Sequence, residues 1–123
     1  LIAIATNQSA IGRGSLSMEE FGLVSDAIRS QLEHHGISLW AVVACPHMPL
    51  EMCDCRKPKP GLLNRLVEAT NRSDLKVLFV GNADSDMEAA QAASSQVIGI
   101  KLAPNLFDNF DLILNAHDRA SDL

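Results

Sequence analysis

The sequence predicts an α/β fold built on a parallel sheet, and three observations carry that prediction. Short, nearly uniform apolar runs recur at residues 1–5, 39–44, 76–80 and 96–100, as expected of strands buried on both faces. Stretches with helical apolar spacing separate them, so strand and helix alternate along the chain. Polar clusters follow three of the runs, at residues 6–9, 45–59 and 81–86, where sites form in open α/β sheets.

The elements follow in order. Residues 1–5 read as a strand that exits into Thr6, Asn7, Gln8 and Ser9. Gly12 and Gly14 allow a loop. Ser17 with Glu20 three residues later is a capping box, after which Phe21, Val24, Ile28 and Leu32 share one helical face and Gly36 supplies a stop. Residues 39–44 form a second strand that runs straight into a Cys/His loop. Pro60 is well placed to open a helix with Leu62, Leu63, Leu66 and Val67 inward. Residues 76–80 are a third strand ending at Gly81. An alanine-rich helix at 86–93 follows, with Asp84 or Ser85 as its cap. Residues 96–100 make a fourth strand and 111–114 a short fifth, before a polar tail.

With 123 residues, 47% of them apolar, the chain is sized for one domain with a core of its own. Fifteen acids against ten bases give a net charge of -5, which argues against a general nucleic-acid binder. No apolar run approaches a membrane span. The opening run lacks a basic region before it and a cleavage site after it, unlike a signal peptide. Three cysteines clustered within one loop make a poor disulfide framework and fit a reducing, cytoplasmic setting and a metal.

That loop reads Cys45-x-His47-x5-Cys53-x-Cys55. Three thiolates and an imidazole make the closed shell of a structural zinc site, with no open position for catalysis. Pro46 and Pro49 stiffen the loop. The alternative is three buried thiols beside a chance histidine, but buried free cysteines usually lie on core faces. Arg56 and Lys57 come directly after the last ligand, so the metal loop would aim them, most usefully at a phosphate; a solvated basic turn is the alternative. Lys59 is expected to face solvent. Thr6, Asn7, Gln8 and Ser9 could hold an anion at their strand end, or be an ordinary polar exit. Asn82, Asp84 and Asp86 offer oxygens for Mg²⁺, or merely a helix cap. His34, His35 and His117 read as exposed or tail residues.

Residues 6–14, Thr-Asn-Gln-Ser-Ala-Ile-Gly-Arg-Gly, together with Cys45-Pro46-His47 and the run Cys-Asp-Cys-Arg-Lys-Pro-Lys-Pro-Gly at 53–61, resemble the haloacid dehalogenase superfamily. The resemblance is to its zinc-containing histidinol-phosphate and D-glycero-D-manno-heptose 1,7-bisphosphate phosphatases, the heptose branch more closely, and it covers essentially the whole chain. It implies a Rossmann-like parallel sheet with a zinc loop at 45–55 in a single, partial domain over 1–123. It also implies Mg²⁺-dependent hydrolysis of a phosphate monoester through an aspartyl-phosphate. Thr6 and Lys57 would take catalytic roles, on the transferring phosphoryl group and its charge. Asn7, Gln8, Ser9 and Arg56 would join them in binding a phosphorylated sugar or histidinol phosphate. Asn82 and Asp86 would fill the magnesium positions.

Two departures from the family pattern bear on activity. The D-x-D strand that carries the family's aspartate nucleophile is absent from these 123 residues, and without that carboxylate the route cannot run. The usual Gly-Asp-Lys of the magnesium motif is Gly81-Asn82-Ala83, and a neutral amide weakens Mg²⁺ binding. The missing strand lies between those at 1–5 and 76–80 in the family. The expectations are therefore an excerpt of a longer protein, direct pairing of these two strands, or a partner chain in the gap. The functional alternative to a phosphatase is a catalytically inactive, zinc-stabilised phosphate-binding or interaction module.

Overall fold

The computed structural model describes residues 1–102, so the expected strand at 111–114 and His117 lie outside the described residues. The chain divides into two units, the first covering residues 1–56 and the second beginning at Lys57.

In the first unit, β1 (Ile2–Asn7) pairs in parallel with β2 (Leu39–Cys45). Parallel neighbours need a long crossover, supplied by α1 (Ser9–Gly12) and α2 (Met18–His34). The register runs from Ala3 opposite Ala41 to Asn7 opposite Cys45, with a shift between Ile2 and Ala3. The second strand is one residue longer than expected, which makes Cys45 its last member. Residues 9–12, expected as loop, form a helical turn. The expected limits of α2 hold. Ser17 Oγ accepts the Glu20 N–H at 3.0 Å. At the other end the Gly36 N–H donates to Glu33 O and the Ile37 N–H to Leu32 O, both at 2.9 Å. This is a Schellman close, with Gly36 at φ 75°. Ser17→Ala should cost about 1 kcal/mol in urea unfolding; an unchanged midpoint would show that water replaces the cap.

The apolar face of α2 is only partly buried. Val24 is 51% exposed and Ile28 39%, while Phe21 and Leu32 are half-buried. A two-stranded sheet offers too narrow a surface to cover a 17-residue helix.

In the second unit, α3 (Gly61–Thr70) precedes β3 (Val77–Gly81), and α4 (Asp84–Ala92) precedes β4 (Val97–Lys101). The two strands pair in parallel, from Val77 opposite Val97 to Gly81 opposite Lys101. α3 buries Leu62, Leu63 and Val67, with Leu66 only half-buried. α4 turns Ala89 and Ala90 inward. Gly99 lets it approach closely, since a Cβ there would lie 2.9 Å from that of Ala90. Among the described residues the strands make two two-stranded sheets, β1-β2 and β3-β4. The direct ladder considered between residues 1–5 and 76–80 is not found among the described residues.

Candidate functional site

The candidate metal centre is built where β2 ends. Cys45 closes that strand, fully buried, and Pro46 and His47 follow outside any helix or strand. A 3₁₀ turn at Pro49–Glu51 reverses the loop, with the Met48 N–H donating to the Glu51 carboxylate. Met52 at φ 54° then delivers Cys53 and Cys55. The four ligand atoms lie within 4.8 Å of one another. Cys45 Sγ is 3.5 Å from His47 Nδ1 and 3.6 Å from Cys53 Sγ, and His47 Nδ1 is 3.2 Å from Cys55 Sγ.

A zinc tetrahedron with bonds of about 2.3 Å to sulfur and about 2.0–2.1 Å to nitrogen has edges of roughly 3.5–3.8 Å. The donor set fits the ion in chemistry, and the two edges from Cys45 match it in spacing, while the His47–Cys55 edge at 3.2 Å is shorter. None of the three cysteines is in a disulfide. Burial, then contact with Cys45 and Cys53, pushes the Cys55 thiol up to about 12. Burial also acts against charge on Cys53, yet the backbone N–H of Arg56 and the Cys45 thiol bring it down to about 6. Cys53 thus gives up its proton readily and Cys55 resists doing so, a resistance that a bound divalent cation would remove.

The polar exit of β1 is tied to this loop. The Gln8 N–H donates to Cys45 O at 2.8 Å. Gln8 Nε2 donates to Thr6 Oγ1 at 3.0 Å, and Arg13 Nη1 to Ser9 Oγ at 2.8 Å. Thr6, Asn7, Gln8 and Ser9 are all half-buried. Arg56, next after the last ligand, keeps Nη1 buried with no hydrogen-bond partner among the described residues. A buried guanidinium N–H without an acceptor is costly, and an anion is the group that would satisfy it.

In the second unit, Lys57 Nζ donates to Asp86 Oδ1 at 2.6 Å, with both side chains nearly buried at 12% and 9% exposure. The ammonium also lies 5.4 Å from the Phe79 ring centroid. Asp86 Oδ2 accepts the Ala83 N–H at 3.1 Å. That bond corrects the expected cap: Ala83, not Asp84 or Ser85, holds the cap position, and Asp86 reaches back to it. Asp84 instead pairs with Lys101. Burial disfavours charge on Asp86, but the Lys57 hydrogen bond and the Ala83 N–H outweigh it and hold the carboxyl below the usual range. Asn82 is exposed and Asp86 buried, so the two magnesium candidates stand in unlike surroundings. Lys59, His34 and His35 are exposed, as expected.

Sequence reasoning missed Gly81 and Phe79. A Cβ on Gly81 would come 2.5 Å from Asp86 Oδ2, so only glycine leaves room for the carboxylate that holds Lys57. The signal is Gly81 and Asp86 five residues apart across a strand–helix turn, but in the sequence Gly81 reads as a strand end and as the first residue of the magnesium motif, not as room for a carboxylate.

The family described as polynucleotide kinase 3 phosphatase matches residues 1–111. The chain belongs to this family. It is a phosphatase-type chain of the haloacid dehalogenase superfamily, as the motifs implied. The D-glycero-beta-D-manno-heptose-1,7-bisphosphate 7-phosphatase of Pseudomonas putida is 39% identical over 100 residues, which covers 81% of this chain and 57% of that one. A probable D-glycero-D-manno-heptose-1,7-bisphosphate 7-phosphatase of Thermoplasma acidophilum is 43% identical over 88 residues, covering 68% of this chain and 52% of that one. The crystal structure of D,D-heptose 1,7-bisphosphate phosphatase from B. bronchiseptica, complexed with magnesium and phosphate, superposes with a TM-score of 0.75 at 25% identity, over 93% of this chain and 74% of that one. The chain spans about half the length of the curated relatives it matches.

Proposed function

We propose that these 123 residues are one partial phosphatase domain. In this reading they supply the metal loop and phosphate-handling residues for hydrolysis of a phosphorylated sugar, with a heptose bisphosphate as the leading substrate and histidinol phosphate as the runner-up. The observation that carries the reading is the Nη1 of Arg56, buried and with no hydrogen-bond partner among the described residues, immediately after the last metal ligand. In this assignment Cys45, His47, Cys53 and Cys55 hold zinc structurally. Thr6, Asn7, Gln8, Ser9 and Arg56 bind phosphate, and Lys57 neutralises charge on the phosphoryl group. The chemistry of Asn82 and Asp86 suits a weak Mg²⁺ site, the ion that would screen the phosphoryl oxygens when bound. The family's description names a polynucleotide, but the net charge of -5 and the sugar-phosphate relatives favour a small substrate. No helix among the described residues is long and apolar enough to cross a membrane. The three clustered cysteines, suited to a metal, support a cytoplasmic setting as the proposed one.

A second reading, a non-catalytic phosphate-binding module, is favoured by one observation. The magnesium motif carries Asn82 and Ala83, and Asp86 is committed to Lys57 and the helix start. The deciding assay is phosphate release from heptose bisphosphate and histidinol phosphate with Mg²⁺, with a D-x-D strand supplied before Leu1, repeated after Asn82→Asp and Ala83→Lys. Activity that Lys57→Ala lowers by about 10²-fold or more is expected for a lost charge-stabilising group. Absence of release from every version, with inorganic phosphate still bound, would establish the binding module instead.

A further inference from the structure

We infer that Gly12 is a positioning residue that locks the phosphate loop at residues 6–9 onto the metal loop; the inference rests on the proposed reading of those two loops. Three observations within the first unit carry it. The β1–β2 ladder sets Thr6 opposite Ala44 and Asn7 opposite Cys45. Just past it, the Gln8 N–H donates to the carbonyl of Cys45 at 2.8 Å, joining the phosphate loop to the first metal ligand. α1 then turns the chain so that its last residue, Gly12, lies against the metal loop a second time. A Cβ on Gly12 would stand 2.6 Å from Pro46 O, 3.1 Å from Met48 N and 3.2 Å from Glu51 Oε2.

The first two of those atoms are backbone, on either side of the ligand His47, so neither can swing away. Gly12 is glycine because of this closeness; its φ is not left-handed, unlike Gly14 at φ 77° with open space around it. The segment from the phosphate loop to Gly12 therefore meets the end of β2 and the metal loop twice, through the Gln8 hydrogen bond and through close packing at Gly12. Gln8 Nε2 in turn donates to Thr6 Oγ1, the hydroxyl assigned to the phosphoryl group. Metal occupancy then sets the order of the phosphate loop, and an added methyl at Gly12 forces the two loops apart.

Amide hydrogen exchange on the full 123-residue chain tests this without any assay of turnover. Chelating zinc should speed exchange at the Gln8 N–H by about tenfold or more while the β3–β4 ladder keeps its protection, because local openings are separate from global ones. Gly12→Ala should give the same selective loss with zinc still bound. Gly22→Ala, with nothing within 4 Å of its added carbon, should leave Gln8 unchanged. Equal Gln8 protection with and without zinc would overturn the inference, and so would a zinc-loaded Gly12→Ala chain with parental exchange. If the Gly12→Ala chain does not fold, Gly12→Ser compared with Gly22→Ser carries the same comparison, and the zinc comparison in the parent chain still overturns the inference if Gln8 protection is equal. Intact coupling in a chain that fails to bind inorganic phosphate would leave this inference standing and remove the functional reading beneath it.

Discussion

Exchanging Cys55 for serine is expected to strip the chain of its metal. Cys55 is buried, and its Sγ sits 3.2 Å from His47 Nδ1, so a shorter, harder hydroxyl cannot reach or satisfy the same ion. Zinc binding in finger-like peptides is worth about 10–16 kcal/mol. Here β2 and its ladder fix Cys45 in advance, so less of that energy is spent on folding. Even so, removing one of four ligands should lower zinc affinity by at least about 100-fold and melt the loop that carries Arg56. Competition with a chromophoric chelator measures it. The parent should hold one zinc per chain and the variant well under half, whereas Asp54→Ser, one residue away and exposed, should behave as the parent does. Equal zinc in all three chains would remove Cys55 from the ligand set.

The second large effect is expected at Asp86. Replacing it with alanine leaves the Lys57 ammonium, at 12% exposure, without its carboxylate and the Ala83 N–H without its acceptor. Breaking a buried ion pair from one side costs about 3–5 kcal/mol, a large share of the roughly 5–15 kcal/mol that holds an ordinary domain together. The pH dependence has a definite sign. Because the folded carboxyl titrates below its unfolded value of about 3.9, its stabilisation is fully present above that value. It is lost as pH falls through the lower, folded one. Urea unfolding should therefore show a wide gap between parent and Asp86→Asn at pH 7 that narrows below about pH 4. A gap that does not change with pH would mean that Asp86 acts through packing alone. Gly81→Ala should mimic the loss, since its methyl would occupy the place of the Asp86 carboxylate.

Much of this was legible in the chain because it depends on local chemistry. Four ligands within eleven residues can scarcely be held apart by loop geometry, and the structure brings all four together. Apolar runs located each described strand to within a residue or two, and Gly36 marked a Schellman close because its left-handed φ suits glycine. What the sequence hid depends on what lies across from a residue. The spacing of Phe21, Val24, Ile28 and Leu32 identifies a helix face but not whether the sheet beside it is wide enough to cover it; with two strands it is not. At Asp86 a carboxylate after a strand suits a metal, a lysine or both, and only the structure shows Lys57 at 2.6 Å. Gly12 looked like loop punctuation because a close approach leaves no mark in the sequence beyond the missing side chain.

The account rests most heavily on a closed metal site, and X-ray absorption on the zinc-loaded chain examines it directly. Four-coordinate zinc is expected, with three sulfurs at about 2.3 Å and one nitrogen at about 2.0–2.1 Å. A shell dominated by oxygen, or a fifth position held by water, would contradict it.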